Sequence, residues 1–303
     1  MTELPSWISG QLPAGYRSHT VVTDGERMHV LEWGDAGAAR TVVLVHGNPT
    51  WSFLWRKVVA ELRARAPALR LVVPDLVGLG LSSKPEPGAH TLVHHIAWLG
   101  GTLDQLVPGP CVIAAQDWGG PIAVGAMATR SARLRGIVLG NTVVGPPPPR
   151  FRPTLFHRLA QLPIASDLLF RWLGFPLGVM HLSQGDRSSI RGDVARAYRW
   201  PLARRADRAA PLALARMVPD GHDHPSIPVL REIAHAFEAA KVPIALVWGT
   251  RDPILGRVIN HLERVRPDAR VVRTQAGHFL QEEVPGELAD AIIDVVARAD
   301  WPA

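Results

Sequence analysis

Asp117 sits at the centre of Ala115-Gln116-Asp117-Trp118-Gly119, after an apolar run, CVIAAQ, and before a run of small residues, PIAVGAMA. Small residues two before and two after a central side chain permit a sharp strand-to-helix turn. Such a turn pushes the central side chain into a site beside a helix N-terminus. Acyl-transfer hydrolases carry serine at that point; here it is a carboxylate, for which capping of the following helix is the plainer role. A carboxylate held this way is suited to in-line displacement at an sp³ carbon, with a covalent ester as the product.

Three more segments give Asp117 its context. His46-Gly47-Asn48-Pro49 follows the strand-like TVVLVH, the place where folds with such a turn build an oxyanion hole from backbone N–H groups. Asp252 lies in WGTRDP directly after PIALVW, and His278 lies in AGHFL, ahead of the last amphipathic stretch. Singly, Asp252 before Pro253 is a turn residue and His278 after Gly277 a loop histidine. Together they give nucleophile, acid and histidine in the chain order of the α/β-hydrolase triad, each in the right strand or helix context.

The elements needed to position these groups are legible. Short β-branched runs predict strands at 41–46, 70–75, 111–116, 136–140, 243–248 and 270–273, apolar enough to be covered on both faces. HVLEW, ending at Trp33, reads as an edge strand in a hairpin with residues near Thr20. Helical periodicity is expected over 51–66, 90–106, 119–131 and 285–299. The prolines at 146–149 end this alternation, and no convincing strand follows until Pro243. The expected fold class is therefore α/β: an α/β-hydrolase fold with a mostly parallel central sheet flanked by helices and an inserted helical cap. Residues 1–145 and 228–303 would form the core and 146–227 the cap. Apolar cap residues, among them Phe151, Leu168, Phe170, Trp172, Leu173, Phe175, Leu177 and Met180, are expected to enclose a pocket over Asp117.

On HGNPTWSFLWR (46–56), PDLVGLGLSSKP (74–85), QDWGG (116–120), WGTRDPIL (248–255) and AGHFLQEE (276–283), the chain resembles the haloalkane dehalogenases of the α/β-hydrolase superfamily along nearly its whole length. The resemblance implies that Asp117 is the nucleophile, His278 the base and Asp252 its carboxylate partner, with Asn48 and Trp118 as halide-holding donors. In one branch of that family the carboxylate partner is a Glu after the preceding strand, near the position of Asn141 here. The chain thus looks like the branch with an Asp-His-Asp triad and Asn and Trp as halide donors. A further branch takes a second Trp from the cap; Trp172 and Trp200 are the residues of that type.

The chemistry follows from the residue types. The leaving halide needs no proton, only donors for its developing charge, which the Trp118 indole and the Asn48 amide would supply. His278, neutral and oriented by Asp252, would then take a proton from the water that attacks the ester. Haloalkane and water give a primary alcohol, halide and a proton, and no cofactor or metal is called for. Turnover is expected to fall as pH drops through the histidine range, near ~6.5.

Epoxide hydrolases use the same nucleophile but draw on two cap tyrosines to protonate an alkoxide. This chain has two Tyr, Tyr16 near its start and Tyr198 in the insert, so only one is available to a cap. An inactive, ligand-binding relative would lack a triad member, and none is missing. Fluoroacetate-type dehalogenases resemble the chain as well, but place arginines just after the nucleophile, where Trp118 to Pro121 stand here.

Composition excludes several other classes. The 303 residues are 47% hydrophobic and 20% charged, enough for a sizeable core, with a single cysteine, Cys111, that cannot close an internal disulfide. With no signal-like start and no long apolar run, a cytoplasmic location without membrane contact is expected. The net charge of +6 comes from 30 Arg and 3 Lys, and the segment 150–216 alone carries +8 while the remainder sums to −2. Without aromatic interleaving this reads as an Arg-rich solvated face or a surface for homo-oligomer contacts, not a nucleic-acid site. His90, His94 and His95 read as a solvated helix face, His222 and His224 as loop residues, and Gly78-Leu79-Gly80 as a turn.

Overall fold

The computed structural model describes residues 4–148 and 155–302. Its sheet has eight strands: β1 (Arg17–Thr23), β2 (Glu26–Trp33), β3 (Thr41–Val45), β4 (Arg70–Pro74), β5 (Cys111–Asp117), β6 (Leu134–Thr142), β7 (Ile244–Gly249) and β8 (Arg270–Thr274). They lie in the order β1-β2-β4-β3-β5-β6-β7-β8. Strands β3 to β8 pair in parallel, and β2 pairs antiparallel with both β1 and β4. The near-continuous apolar runs of β3, β4 and β7 are buried along their whole length, as strands covered on both faces must be. The hairpin at Thr20 forms with Thr20 opposite His29, but HVLEW is not the edge. Its residues are buried throughout, so β2 takes an inner place and the more polar β1 takes the edge.

Helices cover both faces. The expected helix over 51–66 begins as a tight turn at Ser52–Trp55 and continues as α1 (Arg56–Arg65). Thr91 caps α2 (Leu92–Leu106), its hydroxyl oxygen accepting from the His94 N–H. Helix α3 (Gly119–Ala128) follows the Asp117 turn. Between β6 and β7 the described residues contain no strand. They include α4 (Leu155–Gln161), α5 (Gly192–Arg199), α6 (Ala209–Arg216) and α7 (Ser226–Ala239). Helices α8 (Ile259–Val265) and α9 (Pro285–Arg298) complete the chain. Leu288, Ile292, Val295 and Val296 form the buried face of α9, which lies on the sheet beside α1, while α2, α3 and α7 pack together. No helix among the described residues is long and apolar enough to cross a membrane.

Three expectations are corrected here. His90 and His95 are not solvated: they stack at 5.2 Å, pack edge-on against Trp98, and have Nδ1 of His90 3.1 Å from Nε2 of His95. Burial disfavours their charged forms, pushing His90 down to about 4 and His95 well below the usual range. Leu168, Trp172 and Leu173 are exposed rather than buried over Asp117, and the Arg205 guanidinium lies 3.6 Å over the Trp172 ring. Phe170, Leu177 and Met180 are buried, whereas Phe151 lies outside the described residues. The arginines of the insert are only partly a solvated face, because several satisfy helix-end carbonyls. Arg208 donates to the carbonyls of Arg171, Trp172, Leu202 and Ala203, and Arg216 to that of Ala160.

Candidate active site

Asp117 has φ +52°, a left-handed conformation that non-glycine residues rarely adopt, at the junction of β5 and α3. Two glycines make this turn possible. A Cβ on Gly47 would stand 2.4 Å from Asp117 Oδ1, and one on Gly119 would stand 2.4 Å from the Val45 carbonyl oxygen. The loop after β3 therefore presses against the carboxylate, and the backbone N–H of Asn48 donates to Asp117 Oδ1 at 2.7 Å. His46 has both ring nitrogens engaged by backbone. Its Nε2 accepts from the Leu76 N–H at 2.9 Å and its Nδ1 lies 2.9 Å from the Gly47 carbonyl oxygen, tying this loop to the one after β4.

The other carboxylate oxygen, Oδ2, is 3.5 Å from Nε2 of His278, whose Nδ1 is 2.8 Å from Asp252 Oδ2. The imidazole thus lies between two carboxylates. Burial disfavours its charged form, but Asp252 and Asp117 outweigh burial and raise its pKa to about 10. In the resting site the two carboxylates therefore favour the charged form of the His278 imidazole. Burial also works against the charge of Asp252, yet His278, Asn141 and the Ile254 N–H hold its carboxyl below the ordinary range. The Asn141 amide, at φ +32°, donates to Asp252 Oδ2 at 2.7 Å and to the Gly249 carbonyl at 3.0 Å, and accepts from the Gly249 N–H at 2.7 Å. It fixes the carboxylate that orients the histidine.

The two expected halide donors flank the nucleophile. Trp118 is 7% exposed, and its indole N–H makes no hydrogen bond among the described residues. The Asn48 amide donates to the Pro211 carbonyl of α6 at 3.0 Å, so one of its two N–H bonds holds the insert and the other remains. Trp51 also reaches the insert, its indole N–H donating to the Ala197 carbonyl at 3.2 Å.

Chain and fold together decide the family. The profile described as "Alpha/beta hydrolase family" matches residues 42–291. A haloalkane dehalogenase of Mycobacterium marinum (strain ATCC BAA-535 / M) is 31% identical over 275 residues, 88% of this chain and 88% of that one. The chain belongs to the haloalkane dehalogenase family of α/β-hydrolases. Haloalkane dehalogenase 2 of Mycobacterium tuberculosis (strain ATCC 25618 / H37Rv) is 30% identical over 269 residues, covering 87% of this chain and 90% of that one. The crystal structure of the haloalkane dehalogenase DbeA from Bradyrhizobium elkani USDA94 superposes with a TM-score of 0.80 at 24% identity, over 93% of this chain and 98% of that one.

The five residues singled out in the sequence lie together around the turn at Asp117, and beside them stand groups that sequence reasoning missed. Gln116 and the bracing role of Asn141 are two; the turn after His278 is another. There Glu282 is buried against Arg56, whose guanidinium donates to its two carboxylate oxygens at 2.5 and 2.8 Å, and the Tyr198 hydroxyl donates to Glu282 Oε1 at 2.5 Å. Glu283 accepts from the backbone N–H of Gly277 at 2.9 Å and of Asp186 at 2.7 Å. The acidic pair in FLQEE was the available signal, but its partners are remote in sequence. Glu282→Ala would leave the buried Arg56 guanidinium uncompensated, and a stability loss of about 3–5 kcal/mol is expected in urea unfolding.

The remaining candidates fall away. His224 accepts from the Ser226 N–H at 3.1 Å through Nδ1 and has Nε2 2.9 Å from the Arg216 carbonyl oxygen, so both ring nitrogens are engaged. Among the described residues no group of three or more His, Cys, Asp or Glu is arranged to hold a metal ion. Cys111 is buried in β5, and burial pushes its thiol up to about 11.

Proposed function

We propose that the chain hydrolyses haloalkanes to primary alcohol and halide through an alkyl ester on Asp117. The observation that carries this reading is the Asp117 carboxylate itself. It is fixed in a left-handed turn, with one oxygen on the Asn48 N–H and the other facing His278. Attack on the halogen-bearing carbon forms the C–O bond as the carbon–halogen bond breaks, and the halide leaves toward the Trp118 indole and the free Asn48 N–H. Alkylation makes Asp117 neutral and removes one of the two charges that hold the His278 proton. The histidine then gives that proton to solvent and serves as base for the water that attacks the ester, whose carbonyl oxygen lies on the Asn48 N–H. Asp252, on Nδ1, stabilises the positive charge that returns to the imidazole.

In this reading residues 146–227 act as a cap on a core made of 1–145 and 228–303. The Pro211 and Ala197 carbonyls are two of the points where the cap is held to the core loops. A cytoplasmic setting and the uncharged, halogenated substrate belong to the same proposal.

Epoxide hydrolysis is disfavoured by a specific observation. Tyr198 donates its proton to Glu282, and burial with that carboxylate raises its pKa well above the usual range, while Tyr16 lies against Trp33 in the sheet-edge region. Neither tyrosine is free to protonate a leaving alkoxide. The test is halide release from a panel of bromo- and chloroalkanes, with styrene oxide hydrolysis beside it. Halide without diol supports the proposal; diol without halide overturns it. Trp118→Phe keeps the ring and loses the donor, and Asn48→Ala loses the amide. Each is expected to lower kcat/KM for 1-bromobutane by roughly 10²–10³-fold.

A further inference from the structure

Gln116 precedes the nucleophile on β5 and is fully buried. Its amide nitrogen lies 3.1 Å from the His278 carbonyl oxygen, to which it donates, and 3.3 Å from His278 Nε2. Its Oε1 is buried and has no hydrogen-bond partner among the described residues. Turning the amide over would set Oε1 against the His278 carbonyl oxygen, acceptor against acceptor, so the carbonyl fixes the orientation. That orientation presents an N–H to the ring nitrogen. An amide N–H can only donate, so it favours an Nε2 that carries a lone pair and opposes one that carries a proton.

The same nitrogen faces Asp117 Oδ2 at 3.5 Å, which favours the proton. The ionisable groups around the ring pull the same way as Asp117: Asp252 lies on Nδ1 from the loop after β7. Glu282 and Glu283, on the turn that follows, are engaged by Arg56 and by the backbone N–H groups of Gly277 and Asp186. Among the described residues of the insert, the Ser183 carbonyl reaches His278, accepting from its backbone N–H at 2.9 Å.

We propose that Gln116 is a positioning residue that turns His278 from proton holder to base: once Asp117 is esterified, the Gln116 N–H is left to compete for Nε2 and keeps it proton-free. A fully buried amide with an unpaired oxygen is a cost to folding. Here that cost accompanies an orientation in which the amide donates toward the base. The inference rests on the dehalogenase reading for its consequence in turnover, but not for the hydrogen bond itself.

The test uses Asp117→Asn as a neutral stand-in for the ester and follows the ¹⁵N shift of His278 Nε2 against pH, with Gln116 intact, replaced by Met, or replaced by Leu. With the donor removed by Gln116→Met, the imidazole midpoint is expected to rise by about one pH unit, a tenfold gain in proton affinity. Gln116→Leu, which also lacks the donor, serves if the Met variant does not fold, and the same rise is expected of it. In enzyme with Asp117 intact, the acid limb of kcat for 1-bromobutane moves up by the same amount, and KM changes less than kcat. A midpoint that stays or falls in the folded variants overturns the inference. Wild-type protein that releases no halide overturns the dehalogenase reading instead, and leaves the titration standing as the test of the hydrogen bond.

Discussion

Asp117→Ala is expected to end halide release from 1-bromobutane, with kcat/KM falling by on the order of 10⁴-fold or more. The magnitude follows from the absence of a substitute. Among the described residues the one other carboxylate paired with His278 is Asp252, which is buried, turned to the far side of the ring and held by Asn141. Stopped-flow or end-point halide determination measures the loss directly. The fold should survive, because the Asp117 side chain is partly exposed and, among the described residues, its carboxylate meets only His278 and the Asn48 N–H. Relief from the left-handed conformation is small in comparison, since alanine at φ +52° is strained in the same way. Unchanged halide release by a folded Asp117→Ala protein would remove the nucleophile from the proposal.

His278→Gln separates the two chemical steps. Displacement needs the carboxylate and the halide donors, neither of which is lost, so one equivalent of halide per enzyme is expected in a burst. Hydrolysis of the ester then proceeds without a base, and steady-state kcat falls by roughly 10³-fold. A multi-turnover reaction at the wild-type rate would exclude His278 as base. The protonation of the resting imidazole makes the split clearer. Its pKa of about 10 belongs to the state with both carboxylates charged, and therefore to the free enzyme. The base acts only in the alkylated state, in which Asp117 has lost its charge. The acid limb of kcat should therefore report a lower value than the free imidazole does, and the pH profile of kcat alone does not measure the resting pKa.

Those two residues were legible in the sequence because their contexts are local. A strand, a sharp turn with small flanks and a helix lie within one stretch around Asp117, and Asp252 and His278 each follow a short strand-like run. Strand positions were legible for a similar reason: parallel strands covered on both faces are apolar without interruption, and β3, β4 and β7 are buried along their entire length. What escaped depends on distant contacts. Asn141 read only as the absence of a Glu, although its amide fixes Asp252. Nothing near Gln116 reveals that its amide meets a histidine carbonyl from the other end of the chain. The pairing of Arg56 and Tyr198 on Glu282 joins three separate segments in the same way. His90 and His95 misled because polar residues at helical spacing read as an outer face, whereas a neutral imidazole pair can stack against a tryptophan inside. In the insert, prolines and glycines break the helices too often for periodicity to assign a face. Trp172 and Leu173 accordingly turned outward and Phe170 inward.

The central claim is a covalent bond between substrate carbon and one side chain, and mass spectrometry of the His278→Gln protein after incubation with 1-bromobutane tests it most directly. The account predicts one butyl group per chain, found after proteolysis on the peptide that contains Asp117. Halide release without any adduct, or a butyl group on a different residue, would contradict it.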